Sequence, residues 1–564
     1  MAALQKGGYR MRLIVREYLS MLRESNELDN LLPDLLLSMD IQPIFKPQRG
    51  VRQYGVDQSA IGIDPEDQRE KLFLFVIKQK DIDRNNWDTG PQAVRPTLNE
   101  IFDVYMRSML DDRFRDLPKK IVICTNGDMK QDVAINWINY INDHSVVGKI
   151  EFDFWGGDVL SSLVVRYLLN EFVIPESLQK QMRKTLAFLD LVEYDLSHFY
   201  EMVEEILFND TLQSQNKPLK ILRSLHLCLN LVYHWSREAR NLKHAVFAAE
   251  RVILRMWEWI HQEGLKDNKK LWEIFFAIDE TRRQINNEYL DKILPHCLVR
   301  DGLSGYGSER IEYPLLVFEQ IGIIASIGLD FVYAEDSLGQ DEPNDHFQEV
   351  AQKAAYVLQK LIQNNNISRF PVYDSHVNEI STALILLYRT NQLGATKTWI
   401  NQLFVHIGRG YQLLGRFPLL SDSYDDLIEV ELGLQSAEPS SSTLLPILLE
   451  WTVVLDVPEQ YVQARDMIHQ IFKNVDLQIW FPDELSEKHM FKSNALFDSG
   501  AMLTTIKLPE SFEQYRAMVC EEMKEIMEKV EFSFFEESFP IMGILSFRHF
   551  RTPVFPIYWR NLIK

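Results

Sequence analysis

The stretch that most constrains this chain is "KLFLFVIKQKDI", Lys71–Ile82, because Leu72–Ile77 is an unbroken apolar run with no polar face. A run of that kind reads as a strand buried on both sides, so the sheet around it needs a covering layer above and below. Lys78 and Lys80 close the run, and strand alternation would send both to one face. The neighbouring segments supply sheet and cover. "NELDNLLPDLLLSM" sets Leu28, Leu31, Leu32, Leu35 and Leu36 at helical spacing behind Ser25 or Asn26 as N-cap, "IQPIFKP" reads as a short strand, and "YGVDQSAIGID" as an extended segment with turn residues. "TLNEIFDVYMRSML" returns to helical period, "KKIVICTNG" is a buried strand closing in a turn, and "DMKQDVAINWINYIND" is a helix. "KIEFDFWGG" is another strand, and "DVLSSLVVRYLLNEF" a helix with Asp158 as its N-cap. Strands separated by helices predict an α/β sandwich with a mixed or parallel sheet over residues 1–174.

From residue 175 the pattern becomes helical, as in "PLKILRSLHLCLNLVYHWSREARNLKHAVFAAERVILRMWEWIHQ" and "VNEISTALILLYRTNQLGATKTWINQLFVHIGRGYQLL". Residues 175–564 are therefore expected to be a mostly α-helical array, a solenoid or bundle, with two subdomains meeting at a loop near 420–442. In that loop "SDSYDDLIEVELG" and "SAEPSSST" read as surface segments. The last stretch, "EFSFFEESFPIMGILSFRHFRTPVFPIYWRNLIK", is aromatic and basic, and is expected to cap the array or dock a partner.

Charge narrows the function. The formal net charge of −21 is unevenly spread: residues 1–170 hold 22 Lys and Arg against 25 Asp and Glu, and the remainder 38 against 56. Nucleic-acid contact must then come from a local basic patch. Cys124, Cys228, Cys297 and Cys520 show no metal or redox spacing and read as core thiols of a cytoplasmic protein. Arg10, Arg12 and Arg16 precede any signal-like apolar region, and "IGIIASIGL" is shorter than the roughly 18–20 residues that cross a bilayer, so no membrane association is expected. Phosphate-loop, nucleophile-elbow and zinc-helix motifs are absent from the sequence.

The order of four motifs carries a resemblance: "GVD" at Gly55–Asp57, "IKQK" at Ile77–Lys80, "KKIVICTNG" at Lys119–Gly127 and "FDFWGGDVLSSLV" at Phe152–Val164. It resembles the Mrr-like branch of the restriction-endonuclease, or PD-(D/E)xK, superfamily over about the first 170 residues. The resemblance implies a restriction-endonuclease-like fold and hydrolysis of DNA phosphodiesters with Mg²⁺ or Mn²⁺, and defence against foreign DNA as context. It also implies Asp57 as metal aspartate, Lys80 as catalytic lysine and Asp29, or Glu27 if the alignment slips, as a further metal carboxylate. DNA, a partner protein such as an ATPase or helicase, and further copies of the chain are the partners it suggests.

The chemistry explains those residue types. A hard divalent ion takes oxygen ligands, offsets developing phosphate charge and activates water, while a nearby amine steadies the phosphate. The sequence departs from the family at Lys78, where an acid or amide is expected, since an ammonium cannot bind a cation. Gln79 has suitable chemistry but faces the other way by alternation, and taking Lys78 as the catalytic lysine puts Val76 at the ligand position. Each residue also has an ordinary reading: Asp57 as a turn aspartate, Lys78 and Lys80 as a solvated strand end, Asp29 as a first-turn helix residue. Together these describe the alternative, a nuclease fold kept as a binding scaffold.

Overall fold

The structure is a computed structural model. It describes the chain apart from residues 1, 23–26, 46–53, 90–92, 170–174, 216, 307–309, 339–344, 435–438, 484, 493–500, 504–505, 528–531, 552–553, 555–557 and 564. The expected N-caps Ser25 and Asn26, and part of the serine tract near 440, lie outside the described residues. Two compact units result, Met1–Ala248 with Leu265–Ile278, and Ala249–Gly264 with Asp279–Lys564.

The first unit opens with α1 (Ala2–Met21), α2 (Asp29–Ser38), β1 (Gln42–Phe45), β2 (Gln58–Ile63), β3 (Glu70–Lys78) and α3 (Arg84–Asp88). There follow α4 (Val94–Glu100), prolonged by a wider π-helical stretch at Ile101–Met109, then β4 (Lys119–Thr125), α5 (Gln131–His144), β5 (Ile150–Trp155) and α6 (Gly157–Tyr167). One five-stranded sheet runs in the order β1-β2-β3-β4-β5. Its first three strands are antiparallel and its last three parallel, so the sheet is mixed. Both faces of β3 are covered, as its apolar run requires. Leu72, Leu74 and Val76 join Ile121 and Ile123 in a core with Trp87 of α3, Leu98 of α4 and Trp137 of α5. The alternate residues Phe73, Phe75 and Ile77 are also buried, leaving α1, α2 and α6, which pack on one another, for the second face.

The change of period at 174/175 falls inside this unit. Helices α7 (Glu176–Phe188), α8 (Ser197–Phe208), α9 (Asp210–Gln215) and α10 (Pro218–Glu238) belong to it, because α7 and α10 pack against α1. At α6 the N-cap is Gly156 and not Asp158. A side chain on Gly157 would collide with the Arg16 guanidinium, so the helix starts on two glycines and Asp158 falls in its first turn.

Next in sequence come α11 (Leu242–Gln262) and α12 (Lys269–Cys297). The second unit continues through α13 (Glu312–Leu338), α14 (Asp345–Asn364), α15 (Val377–Arg389), α16 (Leu393–Leu414), α17 (Tyr424–Glu431), α18 (Leu444–Val454) and α19 (Pro458–Ile471). Helix α17 corrects the loop reading of "SDSYDDLIEVELG": the Ser423 hydroxyl accepts the Asp426 N–H at 3.1 Å, and acids in the first turn favour the helix dipole. Helix α13 is long and apolar enough to cross a membrane, but 78% of its most apolar window is buried inside the protein, where α14 and α15 pack on it. Among the described residues at the basic end of the chain, the arginines are paired within the chain. Arg548 pairs with Glu250, Arg551 with Glu379 at 2.7 Å, and Arg560 with Glu450.

Candidate active site

Asp57 stands where β2 begins to pair with β3. Its N–H donates to the Phe75 carbonyl at 2.9 Å, and its Oδ2 accepts the Ile77 N–H at 2.7 Å. The carboxylate thus occupies the place a ladder carbonyl would take. Burial raises its pKa, the Ile77 hydrogen bond and the Lys78 ammonium lower it, and the Asp29 carboxylate raises it again, for a net upward shift. Beside it the Cys124 thiol is pushed up to about 12, first by burial and then by the Asp57 charge.

Asp29 opens α2, and its Oδ1 is buried without a hydrogen-bond partner among the described residues. A buried carboxylate oxygen left without a donor costs free energy, so it is a place where a cation is welcome. Glu27, two residues earlier, lies 4.0 Å from the Arg237 guanidinium of α10, so of the two acids it is Asp29 that acts on Asp57. The pair presents carboxylate oxygens of the kind a hard divalent ion takes, with water or phosphate completing its shell. Among the described residues no group of three or more His, Cys, Asp or Glu side chains is placed to hold a metal.

The two lysines separate. Strand β3 ends at Lys78, which is half-buried and whose charge reaches Asp57. Lys80 is exposed in a left-handed turn with φ of 68°, beyond the reach of strand alternation. Such a backbone costs about 1–2 kcal/mol for a residue with a side chain. Two hydrogen bonds hold it: Lys80 N–H donates to Asn126 Oδ1 at 2.7 Å, and the Thr125 hydroxyl donates to the Lys80 carbonyl at 2.6 Å. Gln79 turns away, its amide reaching the Leu22 carbonyl at the end of α1 at 3.3 Å.

At the other end of β3 lies a cluster that the sequence did not single out. Lys71 Nζ meets Asp64 at 2.9 Å, Asp67 at 2.8 Å and Glu151 at 2.6 Å. Lys120 Nζ meets Asp64 at 3.0 Å, Glu66 at 2.6 Å and Asp153 at 3.3 Å. Burial alone would lower both lysines, but the hydrogen bonds that Lys71 donates to Asp67, Glu151 and Asp64, and that Lys120 donates to Glu66 and Asp64, outweigh it and raise them. The signal was a lysine at the second position of each of two buried strands, which reads equally well as a solvated strand end.

Comparison of the chain with protein-family models, with curated proteins and with solved structures gave no match.

Proposed function

We propose that the first unit is a divalent-metal-dependent DNA endonuclease, Mg²⁺ or Mn²⁺ being the ion, and that the helical remainder senses a trigger, assembles copies or binds a partner that licenses cutting. The observation that carries this reading is that two carboxylates and an amine act on one another here: Asp29, whose Oδ1 is buried without a donor among the described residues, and Lys78 both bear electrostatically on Asp57. The ion supplies charge neutralisation at the phosphate and a more acidic bound water. Asp29 and Asp57 hold it, the Ile77 N–H fixes the orientation of Asp57, and Lys78 steadies charge on the scissile phosphate. Lys80, exposed on its turn, is suited to contacting the nucleic-acid backbone.

A second reading, an adaptor that binds nucleic acid or protein without cutting, draws on the absence of a third carboxylate among the described residues and on the ammonium at position 78. Nicking of supercoiled plasmid by the full chain with Mg²⁺ or Mn²⁺ separates the two. The nuclease reading predicts nicking that falls about 10²-fold or more in Asp57→Ala and in Lys78→Ala with the fold intact by circular dichroism. Equal and negligible nicking by all three proteins supports the adaptor.

A further inference from the structure

Asn126 follows β4 in the "TNG" turn and is 2% exposed, yet it belongs to neither the carboxylates nor the amine. Its side chain is fully used in two directions. Nδ2 donates to the Leu19 carbonyl at 3.0 Å and to the Leu22 carbonyl at 2.7 Å, at the C-terminal end of α1. Oδ1 accepts the Lys80 N–H at 2.7 Å. Its own carbonyl accepts from Arg16 of α1 at 2.8 Å, and Arg16 reaches on to Asp128 at 2.7 Å. The adjoining Gly127 has no room for a side chain, because a Cβ there would strike the Lys80 and Asp81 backbone. One side chain thus grips the end of α1, seven positions before Asp29, and the turn two positions after Lys78.

We propose that Asn126 is the positioning residue of this site, coupling the helix that leads to Asp29 with the turn that follows Lys78. The proposal rests on the nuclease reading for its functional meaning. The alternative, a residue that merely stabilises the unit, would not predict that its two grips can be loosened separately with different consequences. Three variants of the full chain make that distinction. Asn126→Ala releases both grips. Asn126→Asp keeps the acceptor for Lys80 and removes the donors to α1. Thr125→Val leaves the Asn126 side chain and its bonds to α1 in place, and removes the 2.6 Å bond to the Lys80 carbonyl together with the 3.2 Å bond that the Thr125 hydroxyl accepts from the Gly127 N–H.

The experiment is hydrogen–deuterium exchange of peptides covering 15–22 and 78–84, paired with Mn²⁺ titration followed by electron paramagnetic resonance. Loss of a buried hydrogen bond should speed exchange by about tenfold. Asn126→Ala is expected to do so in both peptides, Asn126→Asp mainly in 15–22, and Thr125→Val only in 78–84. Mn²⁺ affinity is expected to fall about tenfold in the two Asn126 variants and less than about threefold in Thr125→Val, because only the former free the helix leading to Asp29. Exchange that changes in one peptide alone in Asn126→Ala overturns the coupling, as does unchanged Mn²⁺ affinity when both peptides loosen. Should Asn126→Ala not fold, the opposed patterns of Asn126→Asp and Thr125→Val decide it. If the wild type takes up no Mn²⁺, the nuclease reading fails, while the exchange pattern still decides whether Asn126 couples the two segments.

Discussion

The two ends of strand β3 carry the same kinds of group and treat them oppositely. At its start Lys71, 2% exposed, is surrounded by Asp64, Asp67 and Glu151, every one within 2.9 Å of its ammonium. At its finish Lys78 is half-buried and has no ion pair within 4.0 Å among the described residues, while Asp29 keeps a buried oxygen without a donor and Asp57 is raised in pKa. At the first end both ammonium groups, Lys71 and Lys120, are matched by carboxylates of the chain. On the reading proposed above, the second would leave charge for a bound ion to match. That contrast, more than the presence of lysines or acids, separates a structural ion cluster from a site.

The largest effect should come from breaking the matched end. Lys71→Met leaves Asp64, Asp67 and Glu151 facing one another with Lys120 alone, and should cost about 3–5 kcal/mol of unfolding free energy in urea denaturation. Lys78→Met, at the unmatched end, should change stability by less than about 0.5 kcal/mol. It should instead lower plasmid nicking by about 10²–10³-fold. If the two substitutions destabilise alike, the contrast between the ends is false.

Asp57→Asn sharpens the comparison through pH. Because the folded pKa of Asp57 is raised, its contribution is present while the group is protonated and is lost as pH rises through the folded value. Without metal, Asp57→Asn should therefore melt close to the wild type at low pH and above it at neutral pH, the gap opening as pH climbs past the ordinary carboxylate range. The cluster at the other end has the opposite sign, since Asp64 is lowered despite its burial: its hydrogen bonds from the Glu66 backbone, Lys71 and Lys120 stabilise the fold above the unfolded carboxylate pKa and are lost on acidification. The smallest effect is expected for Lys80→Ala, an exposed side chain, with stability within about 0.5 kcal/mol and nicking within about threefold in standard salt. A loss as deep as that of Lys78→Met would move the catalytic amine back to position 80.

Much of this fold was legible in the chain. The apolar runs of β3 and β4 and the alternation of strand with helix define the sheet, since period and length are local properties. Asp29 and Asp57 could be paired from motif order. What was not legible depends on residues distant in sequence. The left-handed turn at Lys80 is held by Thr125 and Asn126, so strand alternation does not extend to Lys80, two residues past the end of β3. Lys71 and Lys120 look like solvated strand ends until register sets Lys120 beside Glu151. The start of α6 moved from Asp158 to Gly156 because Arg16, from a different helix, needs the space that a side chain at 157 would fill. Helix α17 is readable from its Ser423 cap and first-turn acids, although its acidity also fits a surface loop.

Whether Asp29 and Asp57 serve one divalent ion is most directly measured by Mn²⁺ binding to the wild type, Asp29→Asn and Asp57→Asn in the absence of DNA. The prediction is one ion per chain in the wild type, with affinity reduced about tenfold or more in each variant, as removal of a carboxylate ligand from a hard-ion site should do. Binding that is absent from the wild type, or equal in all three proteins, would contradict it.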